Sequence, residues 1–180
     1  MKFSPIRIIR AHRQTYSDAR TGRVMPSDII GFEIVPALVG LISAALYVQL
    51  NPVAAAALLM VTGLIGALLF GAMLQASQRA LDWADSAPAP SAETSSHAMF
   101  MGQLAANAGY ASLVCIAAAI SYFFATVATG SALALASAVS LGISAHLVLV
   151  LLMVMRRVYA LTEERLNRAR TGADRQRRAS

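Results

Sequence analysis

Two long stretches of this 180-residue chain contain no formally charged side chain. The first covers 45 residues, 34–78, and the second covers 62 residues, 94–155. Uncharged apolar runs well beyond 18 residues are typical of membrane spans, and a soluble domain of this size has too little interior to bury them. The sequence therefore argues against a soluble globular enzyme and a disulfide scaffold. It also argues against a β-barrel, whose strands alternate apolar and polar residues.

The two stretches divide into four candidate transmembrane helices, so the predicted fold class is an all-α integral membrane protein. Asn51-Pro52 separates the first pair, since proline cannot continue a helix. A Thr-Gly-Ser turn at 129–131 separates the second pair. The predicted spans are 29–50, 53–75, 102–127 and 133–155. Together they form a predicted transmembrane domain, 28–155.

Two predicted segments connect or extend these spans. Residues 76–101 form a linker around the Pro/Ser/Ala-rich tract 86–92, which is too poor in bulky apolar residues to bury a core. The basic tail, 156–180, is predicted as a cytoplasmic helical extension of the last span, ending at Gly172.

The N-terminal segment, 1–27, is predicted to be a cytoplasmic, amphipathic, basic helix. Ser4-Pro5 is a helix-start signal, and the helix is expected to run from Pro5 to about Arg20. At 100° per residue, an apolar side carries Ile8, Ile9, Tyr16 and Ala19, with His12 in its middle. An adjoining basic side carries Arg7, Arg10, Arg13 and Arg20, and Ile6 falls among them.

The distribution of basic residues predicts the orientation. The first 30 residues contain six Lys and Arg, the linker contains one, the chain after Met155 contains eight, and the two short turns contain none. Basic residues remain on the cytoplasmic side of a membrane. Both termini and the linker are therefore expected in the cytoplasm of a bacterium, with the spans in its inner membrane.

Several polar or helix-distorting residues in the spans are candidates for a pore or a gate: Glu33, Pro36, Asn107, Ser140, Ser144 and His146. Intramembrane carboxylates often serve as proton or cation sites, although Glu33 also fits a headgroup-level acid at a helix N-terminus. Pro36 should loosen the helix around Phe32 by removing a backbone bond. For His146 and Asn107, an interhelical hydrogen bond is the alternative to a pore-lining role.

Small residues recur at helical spacing. Gly63, Ala67 and Gly71 form one stripe, and Ala138 and Gly142 form another, with His146 next in line. Such stripes let helix backbones approach closely, either within one protomer or between protomers. No phosphate loop, metal-ligand cluster or catalytic triad appears. The expected protein is therefore not an enzyme and has no cofactor and no metal.

The basic arms allow two interpretations. One is contact with anionic lipid. The other is a polyanionic ligand such as a nucleic acid, because arginines neutralise phosphates. In the second case the ligand-binding residues are Arg7, Arg10, Arg13 and Arg20.

Two segments carry a family resemblance: HRQTYSDARTGRVMPSDIIGFEIVPALVG near the start, and LLMVMRRVYALTEE closing the last span. With four spans and a cytoplasmic linker between them, the chain resembles small membrane proteins of bacterial antiphage defence operons. The nearest is the membrane effector of Hailong-type systems, and the membrane subunit of Kiwa-type systems is second. The resemblance implies a homo-oligomeric channel, expected to be a tetramer, that depolarises the infected cell. For the Hailong type, it also implies control by single-stranded DNA oligomers made by a nucleotidyltransferase-like operon partner.

The predicted function is accordingly an oligomeric gated pore that acts as a defence effector controlled from the cytoplasm. Three other classes stay open. A phage-type holin is encoded beside a lysin gene. A small multidrug transporter needs a glutamate deeper in the first span than Glu33. A membrane scaffold needs no pore at all.

Overall fold

The computed structural model of the chain describes residues 5–14, 30–86 and 92–179, and the regular structure in these ranges is entirely helical. A short π-helical turn, Ile30–Ile34, runs directly into the second α-helix. The five α-helices are α1 (Pro5–Gln14), α2 (Val35–Ala45), α3 (Pro52–Ser86), α4 (Ala92–Val127) and α5 (Gly130–Ala179). The prediction of an all-α fold is confirmed.

Three of these helices contain segments that are long and apolar enough to cross a membrane: Pro52–Asp82, Met101–Val127 and Gly130–Arg156. Each contains at least 27 residues, which at 1.5 Å per residue is at least about 40 Å. The hydrocarbon core of a bilayer is only about 30 Å thick. The prediction of a membrane-spanning protein is supported by these three helices.

The first predicted span, 29–50, differs in the structure. Its apolar helix, Ile30–Ala45, has fewer than 18 residues and is about 24 Å long. The helix ends because Tyr47 adopts a left-handed conformation with φ 50°, and the Val48 N–H donates back to the Ser43 carbonyl at 2.9 Å. This is the Schellman type of helix end. The connection to α3 is therefore longer than the two-residue turn that the sequence predicted.

Both predicted turns do coincide with helix starts. The side-chain oxygen of Asn51 accepts a hydrogen bond from the Val53 N–H at 2.8 Å, which caps α3 with Pro52 as its first residue. Helix α5 begins at Gly130, whose φ of 59° favours a residue without a side chain.

The helices extend further than predicted at two other places. Helix α3 continues to Ser86 and α4 begins at Ala92, so most of the predicted linker 76–101 is helical. Alanine favours helix, and residues 87–91 lie outside the described residues. Helix α5 continues through Gly172 to Ala179, so the predicted end at Gly172 is wrong. A single glycine costs about 1 kcal/mol relative to alanine and does not by itself end a long helix.

The long helices pack as an open row rather than as a closed bundle. Within the described residues, α3 packs on α4, α4 on α5, and α5 on α2, whereas α2 and α3 do not pack on each other. Helix α1 lies against α4. The connections 46–51 and 128–129 lie at one end of the row, and α1 lies toward the other end.

Small residues set the closest approaches in the row. A Cβ placed on Gly142 of α5 would lie 3.1 Å from the Pro36 carbonyl oxygen, and one on Gly40 would lie 3.3 Å from the Ala138 carbonyl oxygen. The Ala138–Gly142 stripe is therefore an interface within one chain. The Gly63 stripe differs, because a Cβ on Gly63 or on Gly71 would meet no atom within 4 Å.

Candidate functional site

The side chain of His12 is the point at which α1 enters the row of helices. It is 1% exposed, and its Nδ1–H donates to Oδ1 of Asn107 on α4 at 2.8 Å. Its ring stacks on Tyr110, with centroids 3.8 Å apart and an interplanar angle of 12°. Of the side of α1 that the sequence predicted to be apolar, Ile8 and His12 pack on α4, whereas Ile9 is 40% exposed.

Tyr110 extends the contact to α5. Its hydroxyl lies 2.8 Å from Nε2 of His146, and Nδ1 of His146 lies 2.7 Å from the Phe32 carbonyl oxygen. A carbonyl oxygen only accepts, so Nδ1 of His146 carries the proton and donates it to Phe32. In the neutral ring, Nε2 then accepts from the Tyr110 hydroxyl. We call His12, Asn107, Tyr110, His146 and the Phe32 carbonyl the polar cluster.

Pro36 explains why His146 can bind the Phe32 carbonyl. In an α-helix that carbonyl would accept from the N–H of residue 36, and proline has none. The chain forms a π-helical turn at Ile30–Ile34, immediately before α2. Polar side chains of neighbouring helices commonly supply a donor at such positions in membrane spans, and His146 does so here. The loosening around Phe32 that the sequence predicted is present as this turn.

A second link joins α1 directly to the π-helical turn. An Arg13 guanidinium N–H donates to Oε1 of Glu33 at 2.8 Å. The two side chains are 64% and 44% exposed, so the pair adds no more than about 1 kcal/mol of stability. Its importance is geometric, because it joins a candidate ligand residue to a candidate gate residue.

The local sequence explains how these groups meet. Asn107 and Tyr110 are three residues apart on α4 and therefore lie on one side of the helix. Between them, Gly109 provides space for the neighbouring helices. A Cβ at this position would lie 2.8 Å from Sδ of Met73 on α3 and 3.7 Å from Cγ2 of Ile8 on α1. Gly109 thus lets α1 and α3 both approach α4 at the level of the cluster.

The cluster lies within the uncharged part of the row. Met73, which faces Gly109, precedes the first charged residue of α3, Arg79, by six positions, or about 9 Å of helix. His146 precedes the first charged residue of α5, Arg156, by ten positions, or about 15 Å. The contact between α1 and the long helices is therefore deeper than the first charged residues of α3 and α5.

The structure brings together four of the six candidate pore or gate residues and leaves two apart. Glu33, Pro36, Asn107 and His146 belong to the cluster or adjoin it. Ser140 is fully buried and donates to the Ala136 carbonyl at 2.8 Å. The Ser144 hydroxyl is hydrogen-bonded to the Tyr122 hydroxyl, so both serines are engaged within the chain.

The predicted ligand-binding arginines are described only in part. Arg10 is exposed, and Arg13 pairs with Glu33. The side chain of Arg7 and all of Arg20 lie outside the described residues, as does the predicted end of the helix at about Arg20.

Tyr110, the central member of the cluster, was not predicted from the sequence. A tyrosine in an apolar helix is unremarkable by itself, but its three-residue spacing from Asn107 was a usable signal. Among the described residues, no group of three or more His, Cys, Asp and Glu side chains could hold a metal ion. What the arrangement can do is connect the position of α1 to that of three other elements.

Compared with models of known protein families, with curated proteins and with solved structures, the chain matches none.

Proposed function

We propose that the protein is an oligomeric gated membrane pore, that α1 is its regulatory helix, and that it acts as an effector of bacterial antiphage defence. The observation that carries the gating proposal is the series of contacts from His12 through Tyr110 and His146 to the Phe32 carbonyl. The family resemblance of the sequence supports the defence setting.

The contacts suit a gate because they link α1 to the elements at the crossing of α2 and α5. His146 lies one turn beyond Gly142, where the backbones of α2 and α5 come closest. The Arg13–Glu33 ion pair reaches the start of α2 by a separate route. A ligand that shifts α1 must remake both links, and a change in the tilt of α2 against α5 is the expected response.

The open row supports an oligomer. Four helices in a row enclose no aqueous path, so conduction requires several copies, and contacts between unlike surfaces can close a ring. The Gly63–Gly71 face of α3 has open space beside it and would allow a second copy to approach closely. A tetramer is the assembly that the resemblance implies.

The proposed topology has four crossings, with α2 as the shortest. In it, both termini and the loop between α3 and α4 face the bacterial cytoplasm, as the arginine distribution requires. A Ser91→Cys variant in a Cys115→Ala background tests this orientation. An impermeant thiol reagent should label it only after the cells are permeabilised, and labelling in intact cells would contradict the topology.

Gating is tested by reconstituting the full chain in planar bilayers and measuring its mass in nanodiscs. We expect oligomers and single-channel currents. His12→Leu removes the hydrogen bond to Asn107 and the ring stacking, so it should change the open probability and leave the unitary conductance unchanged. Val148→Ala, at a 55% exposed position on α5, is the matched control.

Three outcomes contradict the proposal. A protein that stays monomeric in nanodiscs has no ring. A protein without conductance at any voltage or in any lipid is a scaffold rather than a pore. An unchanged open probability in His12→Leu removes the regulatory role of α1.

A further inference from the structure

The outward face of α1 combines two apolar and two basic side chains. Ile6 and Ile9 are 68% and 40% exposed, and Arg10 and Arg13 are also exposed. At 100° per residue these four side chains fall within an arc of about 100°, which adjoins the side that buries His12 against α4. Packing on α4 thus leaves an amphipathic face exposed among the described residues.

The depth of α1 determines what can cover this face. His12 binds Asn107, and Ile8 approaches Gly109 opposite Met73, which is about 9 Å inside the first charged residue of α3. A helix at this level lies at the boundary between headgroups and hydrocarbon. Isoleucines exposed there contact acyl chains, whereas arginine side chains of this length reach back to the headgroups.

We infer that the outward face of α1 is a binding site for anionic phospholipid. The phosphate of the lipid lies against Arg10 and Arg13, and its acyl chains lie against Ile6 and Ile9. The alternation of long apolar and basic side chains on one face is complementary to a lipid molecule. A nucleic acid would satisfy the arginines but leave the two isoleucines in water.

Glu33 adds a specific feature to this site. Its carboxylate already pairs with Arg13, so it attenuates the positive charge available to a lipid phosphate. A guanidinium has five N–H donors and can bind a carboxylate and a phosphate together. Neutralising Glu33 should therefore strengthen the binding of anionic lipid, whereas neutralising the arginines should weaken it. The inference goes beyond the proposed pore, because lipid binding at α1 holds whether or not the protein conducts.

The test uses the full chain in nanodiscs with a single tryptophan as the reporter. In a Trp83→Phe background, Ile6→Trp and Ile9→Trp place the reporter on the outward face. Val148→Trp, at an exposed position on α5, is the matched control without a lysine or arginine within one helical turn. Quenching is compared for brominated phosphatidylglycerol, brominated phosphatidylcholine and aqueous acrylamide.

We expect both α1 reporters to be quenched by brominated lipid and shielded from acrylamide. They should prefer phosphatidylglycerol by about fivefold at low salt, the effect of one basic residue near an anionic surface, and the preference should decrease as salt is added. Arg10→Gln with Arg13→Gln should abolish the preference, and Glu33→Gln should increase it. The Val148→Trp reporter should be quenched equally by both lipids.

Four results would overturn the inference. Quenching by acrylamide alone places the face in water. Quenching by neither agent means that a second copy covers it. Loss of lipid quenching on addition of a short single-stranded DNA identifies a nucleic acid as the ligand. A phosphatidylglycerol preference that survives the double arginine substitution excludes Arg10 and Arg13 as its source.

Discussion

Helix α5 meets α2 in two different ways, one helical turn apart. At Gly142 the backbones themselves are in contact, with the Pro36 carbonyl oxygen 3.1 Å from the position of a Cβ. At His146 the two elements are joined by a hydrogen bond from the imidazole to the Phe32 carbonyl. The first contact depends on close backbone packing, which allows only one relative position of the two helices. The second depends on the direction of a hydrogen bond and connects onward to α1, so in the proposed gate it is the contact that a signal would change.

The steric contact should be the more costly of the two to disturb. Gly142→Ala places a methyl group against backbone that cannot move aside easily, and such overpacking costs about 1–3 kcal/mol. Thermal unfolding of the purified protein in detergent measures the loss. Gly102→Ala is the control, because a Cβ at that position would meet nothing within 4 Å. Equal stability of the two variants would show that the α2–α5 crossing is looser than described.

The polar contact should contribute less to stability than the steric one, and the contributions of Tyr110 and His146 should be coupled. Tyr110→Phe removes the hydroxyl that donates to His146 but keeps the ring that stacks on His12. Interhelical hydrogen bonds in membranes average about 0.6 kcal/mol, with a maximum near 1.7. A double-mutant cycle of Tyr110→Phe with His146→Leu should give a coupling energy in this range. Additive effects would argue against the bond, and Tyr47→Phe, at a 73% exposed tyrosine, is the control.

A third substitution tests whether a Cβ that meets a flexible side chain costs less stability than one that meets backbone. A Cβ on Gly109 would lie even closer to a neighbour than one on Gly142, at 2.8 Å, but that neighbour is Sδ of Met73. Methionine is unbranched and adapts readily, so Gly109→Ala should cost less than about 1 kcal/mol. A melting temperature lower than that of Gly142→Ala would mean that Met73 is held rigidly.

The ion pair should contribute least. Glu33→Gln breaks its bond with Arg13, and exposed pairs of this kind contribute about 0.2–1 kcal/mol before screening. We expect a small decrease in melting temperature at low salt and none at high salt. A salt-independent decrease would show that the pair is shielded from solvent.

Most of the helices could be predicted from the sequence, because charge-free length and proline position are local properties. The loosening at Pro36 and the close packing along Ala138–Gly142 also follow from single-helix rules. The length of α2 could not be predicted, because its end depends on the left-handed conformation of Tyr47. The predicted linker was too long, because its composition was considered as a whole, with helix-favouring alanines and two helix-breaking prolines taken together.

The polar cluster illustrates a different limit. Its members His12, Asn107 and His146 were each recognisable as polar residues in apolar surroundings. Their pairing was not, since the bond from His12 to Asn107 spans 95 positions and the bond from His146 to Phe32 spans 114. Helical periodicity gives the side of a helix on which a residue lies. It does not give the rotation of one helix relative to another, and that rotation decides which polar residues meet.

The open row of helices has a consequence for how the protein is made. Helix α2 leaves the ribosome before α3 and does not pack on it within the described residues. Its partner is α5, and the contact at Gly40 awaits Gly142, 102 residues later in the chain. At a synthesis rate of about 5–20 residues per second, this interval lasts about 5–20 s. In the proposed topology, lipid or the insertion machinery would hold the short α2, with its proline and its π-helical turn, during that time. Slower translation between α3 and α5 should therefore increase the fraction of chains degraded before they assemble.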